Sequence, residues 1–241
     1  MEFDVFEYTS RGGRTVNEDC AGYSISEEFG VFLVADGLGG HSLGEVASAT
    51  VKDVVLREIN ESNSELPNRI EEAVKRANEA VLNVQKERKQ ILKSTLALLV
   101  VSELNIFLTN VGDSRVYMFR SGELVKYTND HSVAYKKYKA GEITREEIGF
   151  DEDQSSLLRA IGNEERYGAE IHDMNLAPQI GDAFLLCSDG FWEYVKDLEM
   201  LIDLEKSESA EEWGNRLLKR AINRVNGDND NITVVTVVIK G

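Results

Sequence analysis

The sequence predicts an α+β fold built on antiparallel sheets. Short runs rich in Val, Ile, Leu and Phe have the length of strands, and three consecutive runs are separated by only three residues each. Strands this close in sequence are typical of antiparallel hairpins and not of a parallel sheet, in which helices alternate with strands. The predicted strands are residues 31–35, 95–101, 105–111, 115–119, 183–187 and 232–239.

Helices are predicted where apolar residues recur at helical spacing. Residues 44–59 and 66–85 each place their apolar side chains on one stripe, so each helix buries a single face. Pro67 suits the first turn of the second helix, and Ser209 with Glu212 forms a capping box ahead of another helix near the C-terminus. Several strands are apolar on both faces, which indicates that further layers cover the sheets.

Composition and charge limit the classes of protein to which the chain can belong. Its 241 residues can bury a sizeable core, and a hydrophobic content of 42% with only 2 Pro is typical of a folded domain. The net charge of −16 disfavours nucleic acid and anionic membranes as partners. No repeat or Pro-rich hinge divides the chain, so we expect one domain over residues 1–241.

The expected location is the cytoplasm. The N-terminal segment lacks the basic and apolar regions of a secretory signal, and no apolar run approaches the ~20 residues that a membrane helix needs. Cys20 and Cys187 are too far apart to form a CxxC metal site, and two cysteines do not make a disulfide framework. We expect a monomer without a membrane partner.

Acidic residues stand at the ends of four predicted strands. Asp36, Asp113 and Asp189 each follow a strand and have an adjacent glycine, and Asp230 stands just before the last strand. A single aspartate in such a place is usually a turn residue that accepts a hydrogen bond from its own backbone. Four together predict that their carboxylates converge at one edge of the fold.

Convergent carboxylates repel one another unless a cation lies between them. Oxygen ligands without His or Cys favour Mg²⁺ or Mn²⁺ over Zn²⁺ or Cu²⁺. Two such ions, ~3.5–4 Å apart, acidify a water for attack on phosphorus. Arg14 precedes Glu18 and Asp19, and a guanidinium meets a phosphate with two parallel hydrogen bonds. The pattern predicts hydrolysis of a phosphoester.

Eight stretches, in the same order, are similar to the metal-dependent type 2C serine/threonine protein phosphatases in their bacterial form. The resemblance covers nearly the whole chain. The stretches are RTVNED (14–19), VFLVADGLGGHSLGEVAS (31–48), LTNVGDSRVY (108–117), TNDHS (128–132), AGEITREEI (140–148), LLRAIG (157–162), LLCSDGFWE (185–193) and DNDNITVV (228–235).

The resemblance implies a four-layer αββα sandwich with two Mn²⁺ or Mg²⁺ ions at one edge. By similarity, Asp36 bridges both ions, the Gly37 carbonyl holds one, and Asp189 and Asp230 hold the other. Glu18 and Asp19 then act through water. The nucleophile is the water that bridges the ions, and no phosphoenzyme forms.

The resemblance also implies a third, weaker metal ion on Asp113, with help from Asp189. Arg14 would bind the substrate phosphate. Implied partners are phosphoproteins, among them a Ser/Thr kinase and its substrates, and a flap around residues 131–158 covers the site.

Three segments depart from the family pattern, and one of them, Lys93-Ser94-Thr95 in place of the more usual Gly-Thr-Thr, is a detail at the start of a strand. Eukaryotic members have a His, proposed as the general acid, two positions after the bridging Asp, where this chain has Leu38. The flap has Phe-Asp-Glu-Asp-Gln at 150–154, where bacterial members commonly have His-Pro-x-x-Asn. The identity of the acid and the substrate preference therefore do not transfer from the family.

Two other functions are compatible with the sequence. Gly40–Gly44 reads GHSLG, the nucleophile elbow of a serine esterase with Ser42 as nucleophile. A degenerate, non-catalytic phosphatase fold could instead serve as a binding module, although such members lose metal-binding acids and this chain keeps Asp36, Asp189 and Asp230. Lys136–Lys139 is either a solvated helix face or a patch for an acidic phosphopeptide.

Overall fold

The strands pair into two antiparallel sheets. The computed structural model describes residues 1–39 and 43–241. The strands are β1 (Phe3–Ser10), β2 (Asp19–Ile25), β3 (Phe29–Gly39), β4 (Leu92–Ser94), β5 (Leu96–Ser102), β6 (Ile106–Val111), β7 (Arg115–Arg120), β8 (Glu123–Tyr127), β9 (Glu170–Asp173), β10 (Ala183–Cys187) and β11 (Ile232–Ile239). The first sheet has the order β1-β11-β10-β7-β8, and the second has the order β2-β3-β5-β6-β9, with β4 paired to β3.

Helices cover the outer face of each sheet and also form the flap. They are α1 (Gly44–Glu61), α2 (Leu66–Arg88), α3 (Val133–Ala140), α4 (Asp189–Trp192), α5 (Asp197–Glu205) and α6 (Ala210–Arg224), with a 3₁₀ helix at Arg145–Phe150. Pro67 lies in the first turn of α2, as predicted. Only one half of the predicted capping box forms: the Ser209 hydroxyl accepts from the Glu212 amide, but the Glu212 carboxylate accepts from the Glu208 amide and not from that of Ser209. Among the described residues, no helix is long and apolar enough to cross a bilayer.

Three apolar layers separate the four layers of backbone, which confirms the αββα sandwich. Residues alternate along each strand, so that Leu98 packs toward α1 and α2 while Leu99 packs toward the other sheet. Phe32 and Phe184 fill the space between the sheets. Trp213 lies in the third layer, between the first sheet and α6.

Of the two hairpins that the sequence predicts, β5–β6 forms and β6–β7 does not. β5 and β6 pair as a hairpin, with Leu99 opposite Leu108. β7 instead joins the other sheet, where Tyr117 lies opposite Leu185. Gly112 has a φ of +94°, in the left-handed region, so the chain turns there from one sheet to the other. This crossing places the GDSR segment between the sheets.

The first strands and the flap helices were not predicted. β1 and β2 expose alternate residues, and their apolar content is lower than that of the buried strands. β3 was predicted to end at Ala35, but it continues to Gly39 because its last residues pair with β4. Asp36 therefore lies within a strand and not beyond its end.

Replacement of Trp213 tests the outer apolar layer. Trp213 is fully buried, stacks edge-on against Phe119, and its indole nitrogen donates to the Met200 carbonyl at 3.0 Å. We expect Trp213→Ala to lower the free energy of unfolding by about 3–5 kcal/mol in urea denaturation. Ile222→Ala, on the exposed face of the same helix, is the control, and an equal effect of both would contradict this packing.

Candidate active site

The predicted site residues converge on one cavity of about 500 Å³. β3 and β6 belong to one sheet and β10 and β11 to the other, and the facing sheets bring their ends to the same edge. The lining includes the predicted residues Arg14, Glu18, Asp36, Gly37, Asp113, Asp189 and Asp230. Asp19, the eighth, lies opposite Asp36 in the pairing of β2 with β3, and Ser188 donates to its carboxylate at 2.7 Å.

Thr95 holds Asp36 at the point where β3 changes partners. The Asp36 amide donates to the Thr95 hydroxyl at 2.9 Å, and the Thr95 amide donates to the Asp36 carbonyl at 2.8 Å. The Thr95 hydroxyl also bonds to the Ser114 hydroxyl at 2.7 Å. Sequence reasoning missed this role, although Thr95 stands at the start of a predicted strand.

Gly37 is required because α1 begins directly beside it. A Cβ at Gly37 would lie 2.0 Å from the Gly44 carbonyl oxygen. The Gly37 amide donates to the Glu18 carbonyl at 3.1 Å, and the Glu18 carboxylate accepts from the Gly44 amide at 2.9 Å. Glu18 thus caps the N-terminus of α1, where the helix dipole favours a negative charge.

Asp189 and Asp230 are brought together by the close approach of their chains. A Cβ at Gly190 would lie 2.1 Å from the Asn231 carbonyl oxygen, so only glycine fits between β10 and β11 at this point. The Asp189 carboxylate accepts from the Gly190 amide at 2.6 Å and from the Gln154 side-chain amide at 3.2 Å. Gln154 belongs to the flap, so the flap contacts a predicted metal ligand.

Arg14 forms a two-point ion pair with Asp230. Its Nε and Nη2 atoms donate to the two carboxylate oxygens at 3.0 and 2.7 Å, and this pairing raises the pKa of Arg14. Asn231 holds the loop that carries Arg14, since its side-chain amide donates to the carbonyls of Arg11 and Val16 at 2.9 and 3.0 Å. Asn231 was quoted within a motif but given no role by sequence reasoning.

Asp113 lies in a buried corner of the site. Its side chain is buried, and its carbonyl accepts from the Trp192 indole nitrogen at 2.9 Å. The Arg115 guanidinium lies 3.4 Å from the centre of the Trp192 ring and forms a buried two-point ion pair with Asp130 at 2.7 and 2.6 Å. Asp130 directly precedes the predicted flap, so this pair fixes the base of the flap to β7.

Burial and mutual repulsion raise the pKa of the clustered carboxyls. The pKa of Asp36 is well above its ordinary value because the group is desolvated and faces Asp19, Asp189 and Asp113. Burial is the main cause that raises the pKa of Asp19 to about 7, and repulsion by Asp189 adds to it. Ionisation of the whole cluster therefore requires a compensating positive charge.

The donor set fits hard divalent cations. The cavity offers carboxylate and carbonyl oxygens, and neither His nor Cys is in its described lining. Within residues 1–39 and 43–241, no group of three or more His, Cys, Asp or Glu side chains is arranged so that it could hold a metal ion without rearrangement. The carboxylates instead accept hydrogen bonds from the protein, and Asp230 in particular would have to turn from Arg14 to bind an ion.

Neither His131 nor His172 is in the described lining of this cavity. His131 lies in the loop before α3, where its Nδ1 accepts from the Gly112 amide at 3.2 Å. The elbow residue Ser42 and its neighbour His41 lie outside the described residues, so the geometry of the esterase alternative is not described.

Comparison with known proteins decides the family. The family profile described as Protein phosphatase 2C matches residues 9–226, most of the chain. The chain belongs to the protein phosphatase 2C family. This identification confirms the family resemblance stated for the sequence, and it favours the phosphatase over the serine-esterase alternative.

Named relatives of this 2C phosphatase are bacterial. The serine/threonine phosphatase stp of Listeria monocytogenes is 29% identical over 238 residues, which cover 95% of this chain and 93% of the relative. The serine/threonine protein phosphatase PstP of Mycobacterium tuberculosis is 32% identical over 240 residues, 96% of this chain and 44% of the relative. A crystal structure of the PstP catalytic domain in complex with two manganese ions has a TM-score of 0.82 and 29% identity, over 99% of both chains.

The raised pKa values predict that the chelated protein loses stability as pH rises. A carboxyl whose pKa is raised by folding stabilises the fold below its unfolded value and loses that contribution as pH rises through its folded value. For Asp19 this window runs from 3.8 to about 7. In EDTA, we therefore expect the free energy of unfolding, measured by urea denaturation, to fall between these pH values.

Two controls separate this effect from general pH sensitivity. Asp36→Asn removes one of the repelling charges, so it should flatten the decline in EDTA. Added Mn²⁺ should stabilise the wild type most at the upper end of the window, because the ion binds the ionised carboxylates. A free energy of unfolding that does not change with pH in EDTA would contradict the repulsion between the carboxylates.

Proposed function

We propose that the carboxylate cavity is the catalytic centre of a metal-dependent protein phosphatase that hydrolyses phosphoserine and phosphothreonine. The observation that carries the proposal is the convergence of Asp36, Asp113, Asp189 and Asp230 on one cavity that Arg14 also lines. The family is that of the 2C phosphatases, and its named bacterial relatives are serine/threonine phosphatases. Phosphoproteins are accordingly the substrates.

Mn²⁺ or Mg²⁺ is the cofactor of this family, and we propose a metal-binding role for each acidic residue of the cluster. Asp36 would contact two ions. The Gly37 carbonyl would contact one of these ions, and Asp189 and Asp230 would contact the other. Glu18 and Asp19 would act through water, and Asp113 would hold a third ion. When bound, the ions supply Lewis-acid activation of a water for attack on phosphorus.

Arg14 is proposed to bind and orient the substrate phosphate. Its planar fork already makes two parallel hydrogen bonds to a carboxylate, and a phosphate offers the same pair of acceptor oxygens. The loop that carries Arg14 is held by Asn231, so the guanidinium is fixed at the mouth of the cavity. Orientation of the phosphate lowers the entropic cost of reaching the transition state.

The leaving group must obtain its proton from somewhere other than position 38. Leu38 lines the cavity where eukaryotic members have a His, and its side chain carries no exchangeable proton. The side chain of Asp19 has a pKa of about 7, but it is buried behind Asp36 and does not line the cavity.

The proposed organisation is one domain over residues 1–241 with a flap at 131–158. Support comes from the three apolar layers, which draw on strands from the whole length of the chain, and from Gln154, through which the flap contacts Asp189. We propose that the protein acts as a cytoplasmic monomer on a Ser/Thr kinase and its substrates.

Turnover of p-nitrophenyl phosphate tests the assignments of Asp36 and Arg14. Wild type should require Mn²⁺ and lose turnover in EDTA. Asp36→Asn should abolish turnover, and Arg14→Ala should lower kcat/KM on the order of 10²-fold because the phosphate loses a two-point contact. Arg11→Ala removes a charge from the same exposed loop outside the cavity and should leave kcat/KM unchanged.

Two results would overturn these assignments. If folded wild type shows no turnover in the presence of Mn²⁺, that result would favour the non-catalytic binding module. Loss of turnover in Ser42→Ala with Mn²⁺ binding retained would favour a serine nucleophile. We expect Ser42→Ala to keep Mn²⁺-dependent turnover.

Substrate trapping tests the proposed partners. Asp189→Asn should slow hydrolysis while Arg14 still binds the phosphate, so trapped phosphoproteins can be recovered and identified by mass spectrometry. We expect phosphoserine and phosphothreonine proteins, among them a Ser/Thr kinase. Enrichment of phosphotyrosine proteins alone would contradict the proposed substrate class.

A further inference from the structure

A second cavity, of about 640 Å³, lies at the base of the flap and is lined by cations. Lys136 comes from α3, and Arg159 and Arg166 come from the segment that leads from the flap to β9. All three side chains belong to exposed residues, and none of them takes part in an ion pair between described residues. Three free cations in one cavity stand out in a chain whose net charge is −16.

The acidic residues in the lining do not balance these cations. Asp130 is one of two acids there, and its carboxylate is already occupied by both arms of the Arg115 fork. Glu165 is the other, and it is exposed. The cavity therefore keeps an excess of positive charge.

His131 lines the same cavity and carries a buried nitrogen without a hydrogen-bond partner. Its Nδ1 accepts from the Gly112 amide, so the proton of the neutral ring is on Nε2. His131 is only 8% exposed, and its Nε2 atom is buried. This atom has no hydrogen-bond partner among the described residues. Glu170 has a carboxylate oxygen 3.6 Å away, too far for a hydrogen bond. A buried donor without a partner is costly.

The basic run 136–139 is divided by the fold. Lys137 donates to Asp151 and Asp153 at 2.8 Å each and so stabilises the flap. Lys136, its neighbour in sequence, lines the second cavity instead. The patch that the sequence suggested for an acidic peptide is therefore assembled from two segments of chain, with two arginines that the run does not contain.

One segment of backbone separates the two cavities. Leu157 lines the catalytic cavity, and Leu158, the next residue, lines the second. Leu158 donates its amide to the His131 carbonyl at 2.7 Å, and Leu157 bridges to Ser132, so this segment is extended. Successive residues of extended chain face opposite sides. A ligand in the second cavity thus lies close to the catalytic one.

We propose that the second cavity binds a phosphoryl group other than the one being hydrolysed, carried by a second phosphorylated side chain of the same protein substrate. The inference rests on the proposed function of the first cavity. Arg159 and Arg166 supply guanidinium forks and Lys136 a point charge, a set that matches the several acceptor oxygens of a phosphate dianion.

Steady-state kinetics of the Mn²⁺-loaded enzyme tests this proposal. The substrates are p-nitrophenyl phosphate, a peptide with one phosphothreonine, and a set of peptides with an added phosphoserine at successive positions on either side. We expect at least one doubly phosphorylated peptide to have a lower KM than the single one. Arg166→Gln and Arg159→Gln should each raise that KM about tenfold, with kcat and both other substrates unchanged.

Arg88→Gln is the matched control, since it removes one positive charge from an exposed arginine at the end of α2. It should leave all three substrates unchanged. Arg159 also donates to the Gly168 carbonyl, so its replacement could disturb the local fold as well as binding. Arg166 has an exposed side chain, and Arg166→Gln is therefore the variant that separates binding from local folding.

Calorimetric titration with inorganic phosphate distinguishes the source of the phosphoryl group. In the Arg14→Ala background, loss of phosphate binding on addition of Arg166→Gln would confirm the second cavity as a phosphate site. If, in addition, no doubly phosphorylated peptide is preferred, the site binds free phosphate and the proposed second phosphorylated side chain is overturned. The proposal is overturned if the variants change neither KM nor phosphate binding, or if they change all three substrates equally. Absence of p-nitrophenyl phosphate turnover in wild type would instead refute the proposed function of the first cavity.

Discussion

Repulsion between carboxylates fixed at one edge of two sheets is the constraint on which the site depends. Asp36 comes from the second sheet, and Asp189 and Asp230 flank strands of the first. The apolar layer between the sheets, with Phe32 and Phe184, holds these strand ends together, so the charges cannot move apart without separating the sheets. Hydrophobic burial stabilises the whole fold, and a small part of that free energy offsets a locally unfavourable cluster of charge.

Residues other than the clustered acids hold the cluster in place. Thr95 bonds to the backbone of Asp36 on both sides of the residue, and Asn231 ties the Arg14 loop to the start of β11. The ion pair of Arg115 with Asp130 fixes the base of the flap. Loss of one partner of such a buried pair would leave a charge unpaired, which typically costs about 3–5 kcal/mol.

Charge is distributed unevenly around residues 157 and 158. Acidic side chains line the catalytic cavity on one side, where Arg14 is the cation, and three basic side chains line the second cavity on the other. The net charge of −16 therefore does not indicate the local charge of either cavity. A phosphorylated protein would meet an acidic site that attracts phosphate only when loaded with metal and a basic site that attracts it without metal.

The sequence by itself determined the α+β class, most buried strands and the long helices, and it predicted seven residues that line the cavity. Apolar periodicity is a local property, and acids beside glycine at strand ends can be read directly from neighbouring residues. Tertiary structure alone decided the rest. The partner of β7, the role of Thr95 in holding Asp36, and the meeting of His131 with Arg159 and Arg166 all join residues distant in sequence. The turn at Gly112 and the packing of the two sheets create those contacts, and no local pattern specifies which segments will face each other.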